Sequence, residues 1–394
     1  MNKSLLWKVL IPIVLLLGLL FGLLQRRPEA PTRSQTTQAL PQKELQNELQ
    51  SFYQKSSTLK MDKPSMTQVT FLAVGDIMLS RNVAAKIDET KDPLYPFSNM
   101  TDTLNATDFN FGNLESPFSK SNTYSTAKTL VFNVPNKNKE GLKQYHFTML
   151  NLANNHALDQ GTAGVTETLK TLAEIGTQGV GVGTTLKEAW QPKYQTVHGI
   201  TIAFIGASYA STNDGGKSTN ELVARIEDIE KLKQAIITAQ THADFVVVTM
   251  HAGTEYTRLP NAAQIAFAHA SIDAGADMVI GAHPHWIQQL ETYKNKPIFY
   301  SLGNFIFDQN WSKETSQGLT LKISLEKNKS MQDATPILGT PGEELQGSKT
   351  IARLTRIELI PVIIENNSRP RPATIEERTK ILTSIDQKDS VITY

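Results

Sequence analysis

A chain of 394 residues, at roughly 150 per domain, has room for two domains or one large unit with appendages, and is no short stapled scaffold. Lysine plus arginine number 39 against 38 aspartates plus glutamates, a net charge of +1, so no field of one sign exists to draw in nucleic acid. The absence of cysteine excludes thiolate zinc sites, iron–sulfur clusters, disulfides and thiol-linked lipid anchors, leaving His, Asp, Glu and Asn to hold any metal.

The apolar residues are unevenly spread. Leu5 to Leu24 read LLWKVLIPIVLLLGLLFGLL, the length an α-helix needs to cross a hydrocarbon layer of ~30 Å. A cleaved signal peptide wants a shorter apolar run and small residues before the cut, and Leu24-Gln25-Arg26-Arg27 has none, so residues 1–25 read as a retained single-pass anchor. Flanking charges leave its orientation a tie. Residues 26–66 are rich in Gln, Ser, Thr, Pro and Lys and read as a polar stalk, with Leu45, Leu49 and Phe52 spaced for a short helix.

From Val69 onward short β-branched and aromatic runs alternate with helical patterns, the signature of an α/β domain, here assigned to residues 67–330. The spacing predicts strands at Val69–Val74, Asp108–Phe111, Phe147–Leu152, Gly179–Gly183, Thr201–Ile205, Phe245–Met250, Met278–Ile280 and Pro297–Tyr300. Helices are expected over Gly161–Ile175, Arg225–Gln240 and Asn261–Ala274. Residues 331–394 read as an extension that completes the domain or packs on it. Within it, Arg369-Pro370-Arg371-Pro372 begins a polar segment, and Thr374 with Glu377 three residues on signals a capped helix to Ile385.

Several predicted strands run straight into polar clusters. Val74 leads to Asp76, Phe111 to Asn113 and Glu115, Leu152 to Asn154-Asn155-His156, Met250 to His251, and Ile280 to His283-Pro284-His285. Loops beyond the carboxyl ends of strands form the ligand crevice of α/β sheets, so these clusters are expected to converge. Singly each is weak: Asp76 and Asn155 suit turns, and a lone His251 suits a structural role. The His-Pro-His pair is stronger, because proline pushes the preceding residue toward extended backbone, where residues two apart share a side. Carboxylate, amide and imidazole donors suit one or two Mn, Zn, Fe, Co or Ni ions, and two such ions suit phosphoester hydrolysis. His156, beside a ligating Asn, is placed to stabilise the equatorial oxygens or to protonate a leaving group.

The runs FLAVGDIMLSR, NFGNLESPF, LNLANNHALDQG, VVVTMHAGTEYT and GAHPHWIQQLETYKNKPIFYSLGNFIFDQ together resemble the bacterial capsule-synthesis CapA family of poly-γ-glutamate biosynthesis proteins, from about Val69 to Asp308. That family is a branch of the calcineurin-like metallophosphatases, so the resemblance implies a four-layer α/β/β/α sandwich behind the anchor, with the domain outside the cytoplasm. It further implies Asp76, Glu115, Asn155, His251, His283 and His285 as metal ligands, Glu115 in the bridging place, and His156 as the catalytic histidine. Asn113, Asn304 and Asp308 are expected near the same cleft.

Two positions depart from the superfamily pattern. Met78 stands where its first motif has histidine, and Gly-Asn-Leu-Glu replaces a Gly-Asp opening. The expected function is thus a membrane-anchored hydrolase serving synthesis or export of the anionic polymer beside other synthase subunits. A non-catalytic polymer-binding or scaffold subunit is the alternative that Met78 favours. A secreted nucleotidase, using Trp286 and Tyr256 to stack a base, is a third reading.

Overall fold

Strand β1 (Met66–Ile77) organises the molecule, and its sequence shows why: Phe71 and Ala73 alternate with Leu72 and Val74, so apolar side chains leave both faces of one strand. A strand buried on both faces must be sandwiched. The computed structural model describes residues 66–120, 130–210, 222–328 and 352–394. The expected anchor at 1–25 and nearly all of the stalk lie outside the described residues, among which no helix is long and apolar enough to cross a membrane.

After β1 come β2 (Phe109–Leu114), β3 (Phe147–Asn151) and β4 (Gln178–Val180), then β5 (Lys193–Val197), β6 (Ile200–Ser208), β7 (Phe245–His251), β8 (Met278–Ala282), β9 (Leu290–Tyr293), β10 (Lys296–Phe299) and β11 (Asn304–Ile306). The chain finishes with β12 (Gln317–Asn328), β13 (Arg353–Glu365), β14 (Arg369–Pro372) and β15 (Val391–Thr393). One sheet has the order β14-β13-β12-β1-β2-β3-β4, with β11 on β1 and β15 on β13; the other runs β5-β6-β7-β8-β10-β9. Pairs β1–β2, β2–β3 and β3–β4 are parallel, as are β6–β7, β7–β8 and β8–β10, so both sheets send the ends of these strands toward their carboxyl edges.

Three apolar cores define the layering. Between the sheets lie Phe71, Phe109, Phe111, Phe204, Phe245 and Phe299, with Phe71 and Phe109 stacked at 5.0 Å and Phe111 and Phe204 at 5.2 Å. On the outer face of the first sheet, Leu72 and Val74 meet Val83 and Ile87 of α1 (Arg81–Thr90) and Val165 and Leu172 of α2 (Gly161–Glu174). Outside the second, Val246 and Val248 meet Leu232 and Ile236 of α3 (Ile229–His242) and Phe267 and Ile272 of α4 (Ala262–Asp273). The mixed α/β class therefore holds.

The eight expected strands are all present, within a few residues at their ends. Several segments differ from expectation. Helix α3 begins at Ile229, not Arg225, because Arg225 pairs across to Ser208 as the chain leaves β6 and its buried guanidinium donates to the Tyr209 carbonyl at 2.9 Å. Helix α1 follows β1 directly. The long pair β12 and β13 flanks β1, and Arg369–Pro372 is an edge strand, the place in a sheet where proline is tolerated. The final helix, α5 (Ile375–Thr383), carries the capping box of Thr374 and Glu377 that the sequence signals.

Gly75 sits where β11 crowds β1. A Cβ built there would stand 1.9 Å from the Gly303 carbonyl oxygen, a backbone atom that cannot swing away. Gly75→Ala is therefore expected to destabilise the protein by about 1–3 kcal/mol, the usual range for overpacking, read as a lowered midpoint in urea. An unchanged midpoint would show that this crossing yields.

Candidate metal centre

The site is built from strand ends of both sheets. Asp76 lies at an irregularity of β1, where the register to β2 shifts between Ala73 and Asp76, and its N–H donates to Gly303 O at 3.0 Å. Its neighbour in β2 is Asn113, whose neighbour in β3 is Asn151. The three side chains form a row: Asn151 Nδ2 donates to Asn113 Oδ1 at 2.8 Å, and Asn113 Nδ2 donates to Asp76 Oδ1 at 2.8 Å. That leaves Asp76 Oδ2 facing the second sheet, 3.5 Å from His285 Nδ1.

Glu115 follows the end of β2 and is wholly buried, yet neither carboxylate oxygen makes a hydrogen bond among the described residues. Its Oε1 lies 3.7 Å from His251 Nε2 and 3.9 Å from His156 Nε2. His251 ends β7, and its Nε2 is 2.9 Å from Asn155 Oδ1. Buried His283, with an Nδ1 that makes no hydrogen bond among the described residues, has its ring centre 4.7 Å from that of His251.

Two triads result. Glu115, His251 and His283 offer donor atoms that all lie within 4.8 Å of one another, and so do Asp76, Glu115 and His285. Glu115 is common to both. The His-Pro-His pair is split between them, by a backbone that differs from the extended one expected. His283 has φ +100° and His285 φ +57°, so the imidazoles reach the cage through left-handed conformations that histidine pays for in strain.

Electrostatics follow from burial. Desolvation, then the Asp76 charge, pushes the Glu115 carboxyl well above its ordinary range. Desolvation and the neighbouring imidazoles hold His251 and His283 well below theirs. Burial opposes charge on His285 too, but the bond and charge of Asp76, the charge of Glu255 and the bond to Asn304 together outweigh it and raise the imidazole above its ordinary value. A divalent cation fits this donor set: it would satisfy Glu115 and His283 Nδ1, each unpaired polar atom otherwise costing about 1–3 kcal/mol, and would offset the crowding of Asp76 and Glu115.

The remaining expected residues fall into supporting positions or elsewhere. Asn113 braces Asp76 and lies 3.1 Å from His251 Nδ1. Asn304 Oδ1 is 2.9 Å from His285 Nδ1. Asp308 is engaged away from the triads, accepting from Arg81 Nε at 3.2 Å and from Asn82 N at 3.3 Å at the start of α1. Met78 packs in the outer apolar core, its sulfur accepting from Ser80 N, and contributes nothing to the cage.

Sequence reasoning passed over Asp159, which is buried and 2.7 Å from His156 Nδ1, and Phe132, whose ring stacks on His156 at 4.0 Å and whose N–H donates to Asp159. With Nδ1 held by the carboxylate, His156 turns Nε2 toward Glu115. The three-residue step from His156 to Asp159 was the available signal.

Comparison with known proteins covers the stretch of chain that carries these residues. Residues 70–309 match the family described as bacterial capsule synthesis protein PGA_cap. The chain is 37% identical over 276 residues to the PGA biosynthesis protein CapA of Bacillus subtilis, covering 70% of this chain and 72% of that protein. It is 32% identical over 280 residues to the capsule biosynthesis protein CapA of Bacillus anthracis, covering 68% and 67%. Among solved structures, the NAD nucleotidase of Haemophilus influenzae aligns with a TM-score of 0.45 at 12% identity, over 83% of this chain and 64% of that one, a likeness too loose to carry an argument.

Because Glu115 and His285 are both held above their ordinary values, protons compete with a cation at each of them. Mn2+ binding is therefore expected to release protons and to tighten as pH rises from 6 to 8, by up to about tenfold per unit for each proton released. Calorimetry in buffers of different ionisation enthalpy checks this; binding that is indifferent to pH would remove Glu115 and His285 from the ligand set.

Proposed function

The chain belongs to the bacterial capsule synthesis protein PGA_cap family, and from that premise we propose that it is a metal-dependent phosphoesterase of metallophosphatase type serving poly-γ-glutamate synthesis or export. The supporting observation is Glu115, a buried carboxylate without hydrogen bonds among the described residues that is common to two donor triads. Glu115, His251 and His283, with Asn155, would hold one cation, and Asp76, Glu115 and His285 a second. The cations supply positive charge that polarises a phosphoryl group and acidifies a water.

The protein's own residues do the rest. Asn151 and Asn113 fix the rotamer of Asp76, and Asn304 fixes that of His285. The Asp159 carboxylate steadies His156 at Nδ1, Phe132 covers its face, and Nε2 delivers a proton to the departing oxygen. Residues 1–25 anchor the chain in the cell membrane with the domain on the extracytoplasmic side, where the polymer emerges. The partners in this reading are the membrane, the anionic polymer and other synthase subunits, with no role for nucleic acid.

One observation favours a second reading. Met78 lies in the apolar core, so the cage has no donor at that position, as suits a subunit that keeps the site to bind polymer or steady a complex without turnover. A single variant separates the two. In the full-length Mn2+-loaded protein, His156→Ala is expected to cut p-nitrophenyl phosphate turnover by about 10²–10⁴-fold while elemental analysis finds the metal retained. The same variant, returned to cells, should then reduce surface polymer. Undiminished polymer would favour the non-catalytic subunit, and undiminished turnover would remove His156 from the reaction.

A further inference from the structure

The leaving group of the phosphoester is unnamed so far, and the flank beyond His285 bears on it. Tyr256 follows β7 in a left-handed conformation, φ +62°, and its N–H donates at 2.9 Å to the carbonyl of Pro284, the residue between the two cage histidines. Its ring lies 6.1 Å from that of His285, only 25° from parallel. Trp311 stands against Tyr256 at 4.7 Å and 79°, and is 60% exposed.

This arrangement is fastened to the cage. Asn304, whose Oδ1 meets His285, donates through Nδ2 to the Thr315 carbonyl at 2.9 Å and to Gln309 Oε1 at 3.4 Å, residues on either side of Trp311. The amide that orients a candidate ligand therefore also holds the segment that presents the indole. A tryptophan serving the core would be covered, whereas this one shows most of its surface to water two ring contacts from the proposed cations. Trp and Tyr carry large flat area with few rotamers, which suits stacking.

We propose that Trp311 and Tyr256 form an aromatic shelf at the mouth of the cage, which stacks a flat ring, such as a nucleobase, on the leaving group of the phosphoester. The shelf rests on the phosphoester reading for its place in a reaction, and Trp311 acts in it as a specificity-determining residue. Base-on-indole stacking is worth about five- to tenfold or more in affinity.

The test uses the full-length Mn2+-loaded protein carrying His156→Ala, so that bound esters persist, with calorimetry of AMP, glycerol 3-phosphate and adenosine. AMP is expected to bind about tenfold tighter than glycerol 3-phosphate. Adding Trp311→Ala should collapse that ratio toward one and abolish adenosine binding, and Trp311→Phe, which keeps a ring, should recover most of both. A ratio that survives Trp311→Ala, or adenosine that does not bind the parent protein, overturns the shelf. Adenosine that binds while AMP gains nothing from Mn2+ upholds the shelf and overturns the phosphoester reading instead.

Discussion

Everything at the centre of this molecule turns on one buried carboxylate that makes no hydrogen bond among the described residues. Glu115 is inaccessible, crowded by the charge of Asp76, and faced by imidazoles that burial keeps from charging. In a protein interior such a group is costly unless something positive joins it. The surrounding structure is arranged around that debt: the asparagine row braces Asp76, Asn304 meets His285, and the Asp159 carboxylate holds His156, each through a contact outside the two triads. Positions set in this way do not depend on the cation for their geometry, so the site is organised before an ion arrives.

Much of this was legible in the sequence, for reasons that are specific. The parallel strands are buried on both faces and so read as near-continuous apolar runs, and each polar cluster that ends one of them lands at the same edge. Asp76, Glu115, Asn155, His251, His283 and His285 come together because the strand ends bring them there. The capping box of α5 was equally plain, since its two side chains are three residues apart and need no tertiary context.

What the sequence concealed was tertiary. β12 pairs with β1, and β13 with β12, from far along the chain, and the alternation of Thr, Lys and Ser with apolar residues in β12 hides a core strand among polar ones. The approach of His283 and His285 depends on left-handed backbone that no local propensity favours. Asp308 and Arg81 sit in motifs that look functional, yet the carboxylate ties down the start of α1, a duty visible only once the two segments meet. Phe132 and Asp159 act on His156 through a contact that spans a turn and a loop.

The donors of the cage come from both sheets, the first at Asp76 and the last at His285, so no fragment of the chain carries a complete set. An ion thus has nowhere specific to settle until the two halves have closed on one another. Because imidazole and carboxylate donors suit several transition metals, the ions at hand where that closure takes place would weigh, beside the geometry of the cage, in deciding which element it holds.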